Sequence, residues 1–274
     1  MRMSLSLLSL GLALSTGAVA QGSKMLIGID GSPTAAQPVW QINPNTGASV
    51  QVGTITGAVA PIQGLTYDAA TDTLYATSGG SSNQARLYTI DRDTWVATTV
   101  GSYAIPGQFL NFIGGLAIDP TSNTLFGYES QSGALRSIDT ATGASTTIGT
   151  MPFSGFGSIA WDSSAGALFA ADAKSAGQNL WEIDPGTGGG TLVGPFNGSS
   201  TQIGVDLTWS SKHGLLGINN AGDDSLWSID TATGAATLIG YTGTTNVLAI
   251  AYIPAPASIT LLMAGGALAF RRRR

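Results

Sequence analysis

One histidine, no cysteine and sixteen carboxylates bound the chemistry open to this chain of 274 residues. Without cysteine there is no thiolate nucleophile, no disulfide and no cysteine-bound zinc. His213 stands in the turn-like segment Ser210-Ser-Lys-His-Gly214. It has no second histidine to share a metal, and no Ser-His-Asp arrangement can be assembled around it, so no catalytic residue is assigned. The carboxylates offer more. Asp30, Glu129, Asp172 and Asn219, together with Ser78, each end the second strand-like piece of a repeated unit. Repeat equivalence places them around one face, near a common axis. Three carboxylates and an amide converging there would hold a hard cation such as Ca²⁺ through oxygen. The plainer expectation is that each one only opens its own turn. No other cofactor is implied.

A second chemistry lies in the segments between repeats. Tyr103, Phe109, Asn111 and Phe112 share one such segment, Phe153 and Phe156 the next, and Asn197 and Gln202 flank the third beside Phe196. Aromatic faces beside amides supply the apolar stacking and hydrogen bonds that a neutral sugar needs. Against this, phenylalanines in such places commonly fill the space between packed units, and isolated exposed ones carry no message. The tryptophans read as architecture. Trp40, Trp181 and Trp227 recur at one repeat position and Trp161 and Trp209 at another, which predicts core packing. Trp95 replaces a turn glycine and is expected to be exposed.

What must position all of these is a phrase that recurs five times: Val39-Trp-Gln-Ile-Asn43, Leu87-Tyr-Thr-Ile-Asp91, Leu135-Arg-Ser-Ile-Asp139, Leu180-Trp-Glu-Ile-Asp184 and Leu226-Trp-Ser-Ile-Asp230. Its starts are 48, 48, 45 and 46 residues apart, the period of a β-propeller blade. Each unit holds four short pieces rich in β-branched and aromatic residues and bounded by Asp, Gly, Ser or Asn. The second unit shows them as Gly64–Asp68, Thr73–Thr77, Arg86–Ile90 and Ala97–Gly101. In the first piece a large apolar or aromatic position recurs as Tyr67, Ile118, Trp161 and Trp209, and Asp206 stands where other copies have Gly or Ser. In the second, one position is always Gly or Ala, which predicts close approach of a neighbouring blade. Segments such as Asp139-Thr-Ala-Thr-Gly143 join the third and fourth pieces as hairpin turns. The first unit lacks its first piece, and Val247–Ile253 fits that pattern, with Tyr252 in the aromatic position. The expected fold is therefore all-β: a five-bladed propeller of four-stranded blades, its ring closed by the C-terminal strand pairing into the first blade.

The two ends carry an address. Residues 1–20 contain Arg2, the apolar run Leu5–Leu14 and Ala18-Val-Ala20, the three parts of a signal peptide whose Ala18 and Ala20 would be read by signal peptidase. Residues 21–253 form the propeller. Residues 254–274 form a tail, with Pro254-Ala-Pro-Ala-Ser258, an apolar stretch at 259–270 and arginines at 271–274. That stretch is shorter than the roughly 20 residues of a comfortable span, and the arginines would stay on the cytoplasmic side. The order of motif, apolar helix and arginines resembles the PEP-CTERM sorting signal. The resemblance implies a sorting enzyme of exosortase type acting near Pro254 and Pro256, with transient or permanent membrane anchoring by the tail. Ala255 stands where the family motif has Glu. The body is similar to the YVTN/quinoprotein-like propellers through Leu226–Gly240, a likeness that implies a scaffold and no activity.

Five of the eleven basic residues lie in these ends, leaving six against sixteen acidic residues in the body, a formal charge of −10. Such a surface repels phosphate backbones, so no nucleic-acid partner is expected. The expectation is an exported cell-surface or extracellular-matrix propeller, made as a membrane-anchored precursor, that binds glycan or exopolysaccharide without catalysis. The rival readings are a glycan-active hydrolase or lyase and a purely structural surface protein. Intact-mass and N-terminal analysis of the exported protein is expected to begin at Gln21. A mature chain that keeps residues 1–20 contradicts export by this signal.

Overall fold

The computed structural model describes residues 25–31, 37–81, 83–104, 110–173, 178–197, 203–220, 222 and 224–254. Five antiparallel sheets of four strands form five blades. Blade one runs from β22 (Val247–Ile253) through β1 (Met25–Asp30) and β2 (Gln37–Ile42) to β3 (Ser49–Ile55). Blade two is β4 (Ile62–Asp68), β5 (Thr73–Ser78), β7 (Arg86–Ile90) and β8 (Ala97–Ser102). A two-residue pair, β6 (Gly80–Ser81) with β9 (Leu110–Asn111), lies beside it. Blade three is β10 (Ile113–Asp119), β11 (Thr124–Glu129), β12 (Ala134–Ile138) and β13 (Ser145–Thr150). Blade four is β14 (Gly157–Asp162), β15 (Ala167–Asp172), β16 (Asn179–Ile183) and β17 (Gly190–Pro195). Blade five is β18 (Ile203–Ser210), β19 (Gly214–Asn219), β20 (Ser225–Ile229) and β21 (Ala236–Tyr241). The innermost strands β22, β4, β10, β14 and β18 contact one another in that order and close the ring. The protein is a five-bladed β-propeller, with no helix among the described residues.

Closure follows the expected pairing of the C-terminal strand with the first blade. Met25 pairs with Ile253, Ile27 with Ala251 and Ile29 with Ala249. The clasp is held at its start by Asp224, whose carboxylate accepts the Val247 N–H at 2.7 Å and the Thr244 hydroxyl at 3.0 Å. It leaves no free sheet edge at the point where the two ends of the domain meet.

The recurring phrase explains the blade interior. Its first residue, Val39, Leu87, Leu135, Leu180 or Leu226, is fully buried, and its isoleucine nearly so. That isoleucine reaches diagonally over the small residue of the second strand. A Cβ on Gly127 would lie 2.9 Å from Ile138 Cδ1 and 2.9 Å from Ile113 Cγ2; one on Gly28 would lie 2.9 Å from both Ile42 Cδ1 and Val247 Cγ1. The small position therefore admits side chains of its own blade, not the approach of a neighbouring one.

Contact between blades falls instead on a glycine of the fourth strand. In every blade the fourth strand bulges by one residue, at Val52, Val100, Ile148, Val193 or Ile239, immediately before a glycine. That glycine lies against the hairpin turn of the next blade. A Cβ would meet the Thr142 carbonyl oxygen at 1.8 Å from Gly101, Thr187 at 1.8 Å from Gly149, Thr233 at 2.2 Å from Gly194 and Thr46 at 2.0 Å from Gly240. The turns are themselves fixed. Asp139 Oδ1 accepts the Ala141 and Thr142 N–H groups, both at 2.8 Å, and Gly143 closes the turn at φ +74. At the fifth contact a Cβ on Gly53 would lie 2.0 Å from Trp95 Cδ1, and Trp95 itself takes φ +57. Trp95 is only 7% exposed, so the expectation of an exposed indole is wrong. The ring fills the space that a threonine-glycine turn fills elsewhere.

Gly149→Ala is expected to cost about 3 kcal/mol in denaturant unfolding, because the backbone of two blades must separate. Gly114→Ala, whose nearest neighbour atom would lie 3.8 Å away, is expected to unfold nearly as the parent does.

Candidate functional site

The acidic positions expected to converge do not form a metal group. Among the described residues no three His, Cys, Asp or Glu side chains lie close enough to hold an ion. Glu129 is fully buried and caps its own turn, accepting the Gln131 N–H at 2.9 Å and the Ser132 hydroxyl. Asp30 accepts Asn246 Nδ2 at 3.0 Å. Asp172 and Asn219 end β15 and β19 and are engaged by other groups.

The expected sugar-binding loops also divide. Tyr103 is fully buried, its hydroxyl donating to the Ser78 carbonyl. Phe153 packs between Tyr128 and Trp181, at ring separations of 5.4 and 6.3 Å. Both are closed to a ligand because they fill the space between blades. Phe112 is half-buried, while Phe156, at 67%, and Asn197 are exposed. Asn111 lies in the short strand β9, and Phe109 and Gln202 lie outside the described residues. So do Ala18, Ala20 and Pro256, whereas Pro254 is the last residue described. No helix of the described residues is long and apolar enough to cross a membrane.

A cavity of about 170 Å³ opens on the other face, at the end of the ring axis where the first and second strands of each blade are joined. All five innermost strands build it, by repeat position. Tyr67, Ile118, Trp161, Trp209 and Tyr252 occupy equivalent places and form a belt around it. One step deeper lie Thr66, Ala160 and Thr208, and the mouth is ringed by Ala69, Pro120, Ser163, Ser211 and Pro254. Trp161 is stacked on Phe126 with centroids 6.0 Å apart, and Tyr67 is held by its hydroxyl on Asp72 and by Arg92 5.3 Å from its ring centre. Burial and the Asp72 contact push the Tyr67 phenol up to about 12, so it stays neutral. The turn bearing His213 belongs to this face, with its ring 5.9 Å from Tyr252.

No side chain with a full charge lines the cavity. The acids beside it turn into their own hairpins: Asp68 accepts the Ala70 N–H at 2.9 Å, Asp119 the Thr121 N–H at 2.8 Å and Asp162 the Ser164 N–H at 2.7 Å. Two polar groups of the wall are left without a protein partner. Trp209 Nε1 and the Tyr252 hydroxyl are both buried and unbonded, and Tyr252 as a whole is 7% exposed. An unpaired buried donor costs about 1–3 kcal/mol, a cost the fold also bears at Trp40 Nε1 and Trp181 Nε1, outside the cavity.

The inner end of the cavity is closed. At the repeat level of Gly64, Gly115, Ser158, Asp206 and Ala249 every residue is buried. Gly115 leaves room for Ser158, whose Oγ would lie 2.7 Å from an added Cβ. Ser158 donates to the Asp206 carboxyl, which also accepts the Ile250 N–H at 2.6 Å and the Leu207 N–H at 3.0 Å. One carboxyl thus ties β18 to both of its neighbours in the ring, β14 and β22. Its burial raises its pKa well above the usual carboxylate value. The departure of this position from the Gly or Ser of other copies was the visible signal of that role. The aromatic belt was visible too, as a recurring large residue, but recurrence pointed to packing; Trp161 and Trp209 are only half-buried and face the cavity.

No protein-family model and no curated protein matches the chain. Solved structures do. A Bacteroides thetaiotaomicron protein of unknown function is similar at TM-score 0.58 and 14% identity, over 87% of this chain and 66% of that one. A chain of the nidogen/laminin complex is similar at TM-score 0.53 and 16% identity, over 84% and 82%. TolB from Acinetobacter baumannii is similar at TM-score 0.50 and 12% identity, over 80% of this chain and 53% of TolB. At these identities the likeness shows the propeller fold alone.

Asp206→Ala is expected to lower stability by about 1–3 kcal/mol, since it leaves the Ile250 N–H buried and unpaired. The pH dependence has a definite sign. A carboxyl whose folded pKa is raised stabilises fully below its unfolded value of about 3.9 and loses that stabilisation as pH rises through the folded value. Chemical denaturation across pH 4–9 is expected to show a decline in the parent that flattens in Asp206→Ala.

Proposed function

We propose that the protein is an exported, non-catalytic binding propeller that takes an uncharged sugar into the cavity at the end of its ring axis. The observation that carries this reading is the belt of Tyr67, Trp161, Trp209 and Tyr252 in a wall that bears no full charge. Aromatic faces bind the C–H faces of a sugar ring by burial and stacking. The hydroxyls of Thr66, Thr208 and Ser163 in the lining offer hydrogen bonds to its oxygens. A charged ligand is disfavoured on two counts. The wall offers it no counter-charge, and the net charge of −10 over residues 21–253 repels uronates and phosphates. The similar solved structures support a scaffold of this shape and name no ligand. Export rests on residues 1–20 and retention at the envelope on residues 254–274, as read from the sequence.

A panel of methyl glycosides of neutral hexoses, N-acetylhexosamines and deoxyhexoses, titrated with detection by tryptophan fluorescence and calorimetry, tests the reading. At least one is expected to bind. Trp161→Ala is expected to weaken it tenfold or more, about 1.4 kcal/mol, while Phe156→Ala on the opposite face changes nothing. Loss of binding in Phe156→Ala with none in Trp161→Ala places the sugar on the inter-blade loops instead.

A further inference from the structure

Resting on that sugar-binding reading, the geometry points to a narrower specificity: we infer that the site recognises the end of a glycan chain, one terminal ring inserted along the propeller axis, and rejects internal rings of a polymer. Three features of the cavity carry this. It is blind, because the level of Gly64, Gly115, Ser158, Asp206 and Ala249 is buried in all five blades and is cross-tied through the Asp206 carboxyl to β14 and β22. A chain therefore cannot pass through the ring and must enter and leave by one mouth. It is small. A protein cavity of about 150 Å³ is filled by benzene, so about 170 Å³ holds one six-membered ring and not two.

The third feature is the order of layers along the axis. The large residues Tyr67, Ile118, Trp161, Trp209 and Tyr252 sit below a mouth made only of Ala69, Pro120, Ser163, Ser211 and Pro254. The first four of those five are exposed. Contacts that grip are thus concentrated on the inserted ring, and the residues lining the mouth offer no aromatic face to a second. A groove that binds internal segments has the opposite design, with aromatic residues spaced along an open surface. Here Trp161 and Trp209, both half-buried, line one shared space.

The test takes the neutral sugar that binds best among the methyl glycosides and follows its linear oligomers from one to six units by calorimetry on the folded domain. Affinity is expected to stay within threefold from one ring to six. Binding capacity of the parent polymer is expected to rise in proportion to chain ends when it is cut, not to its mass. A rise of tenfold or more with length, or a capacity set by mass, overturns end recognition while leaving sugar binding intact. Failure of every neutral glycoside to bind overturns the sugar reading, and end recognition with it. Ser163→Trp provides the second readout: at the exposed mouth it is expected to abolish binding with an unchanged melting temperature. Unchanged affinity in that variant places the ring elsewhere.

Discussion

The structure depends on one repeated steric fit: the glycine after each outer-strand bulge lies against the backbone of the next blade's hairpin turn. Carbonyl oxygens of Thr142, Thr187, Thr233 and Thr46 occupy the space where side chains of Gly101, Gly149, Gly194 and Gly240 would start. Because each blade presents both the glycine and the turn, the contact runs round the ring and has no terminus. The turns are stiffened by their own aspartates. Backbone N–H groups of Thr94, Thr142 and Gly186 lower the pKa of Asp91, Asp139 and Asp184, so these carboxylates support the turns above the unfolded carboxylate pKa and release them as pH falls through the folded one. Trp95 is the single exception in kind, an indole in place of a turn backbone, and it marks the contact that joins the composite first blade to the second.

From this outer fit the inner geometry follows. Five blades held at fixed approach bring their first strands together edge to edge around an axis, and equivalent residues then form layers. One layer is made of small residues except for Ser158 and Asp206, which fill it and bond to each other between neighbouring strands. The next large layer is the aromatic belt. Repetition alone would make every layer uniform; function enters where the copies differ, through Ile118 among aromatics, Asp206 among Gly and Ser, and two hydroxyl-bearing threonines beside Ala160. Asp68, Asp119 and Asp162, beside the cavity, are spent on their own hairpins, which is what leaves it uncharged.

Much of the fold was legible because its determinants are local and periodic. The five phrases, the Asp-to-Gly turns and the displaced strand at Val247–Ile253 each follow from strand period and turn chemistry, and that strand pairs with the first blade as expected. The direction of packing was less legible. Gly28, Gly127 and Gly217 signalled close approach, but only coordinates show that Ile42, Ile138 and Ile229 of the same blade do the approaching. The site was the least legible part. Tyr103 and Phe153 have the residue types of a sugar platform, yet their burial is a tertiary fact. Trp161 and Trp209 carry the same types at a repeat-generic position, where sequence reasoning assigns them to core. Which face of a blade a recurring residue serves depends on the ring's curvature, which no single repeat contains.

The central claim is that the ring's axial cavity, with Trp161 and Trp209 in its wall, is where the protein binds. Its most direct measurement is the ¹⁵N–¹H spectrum of the tryptophan indoles during titration with the neutral glycoside that binds best. The account predicts that the Trp209 and Trp161 resonances move with saturation while those of Trp95 and Trp227, both sealed between or within blades, stay in place. Saturable binding that leaves Trp161 and Trp209 unmoved contradicts it.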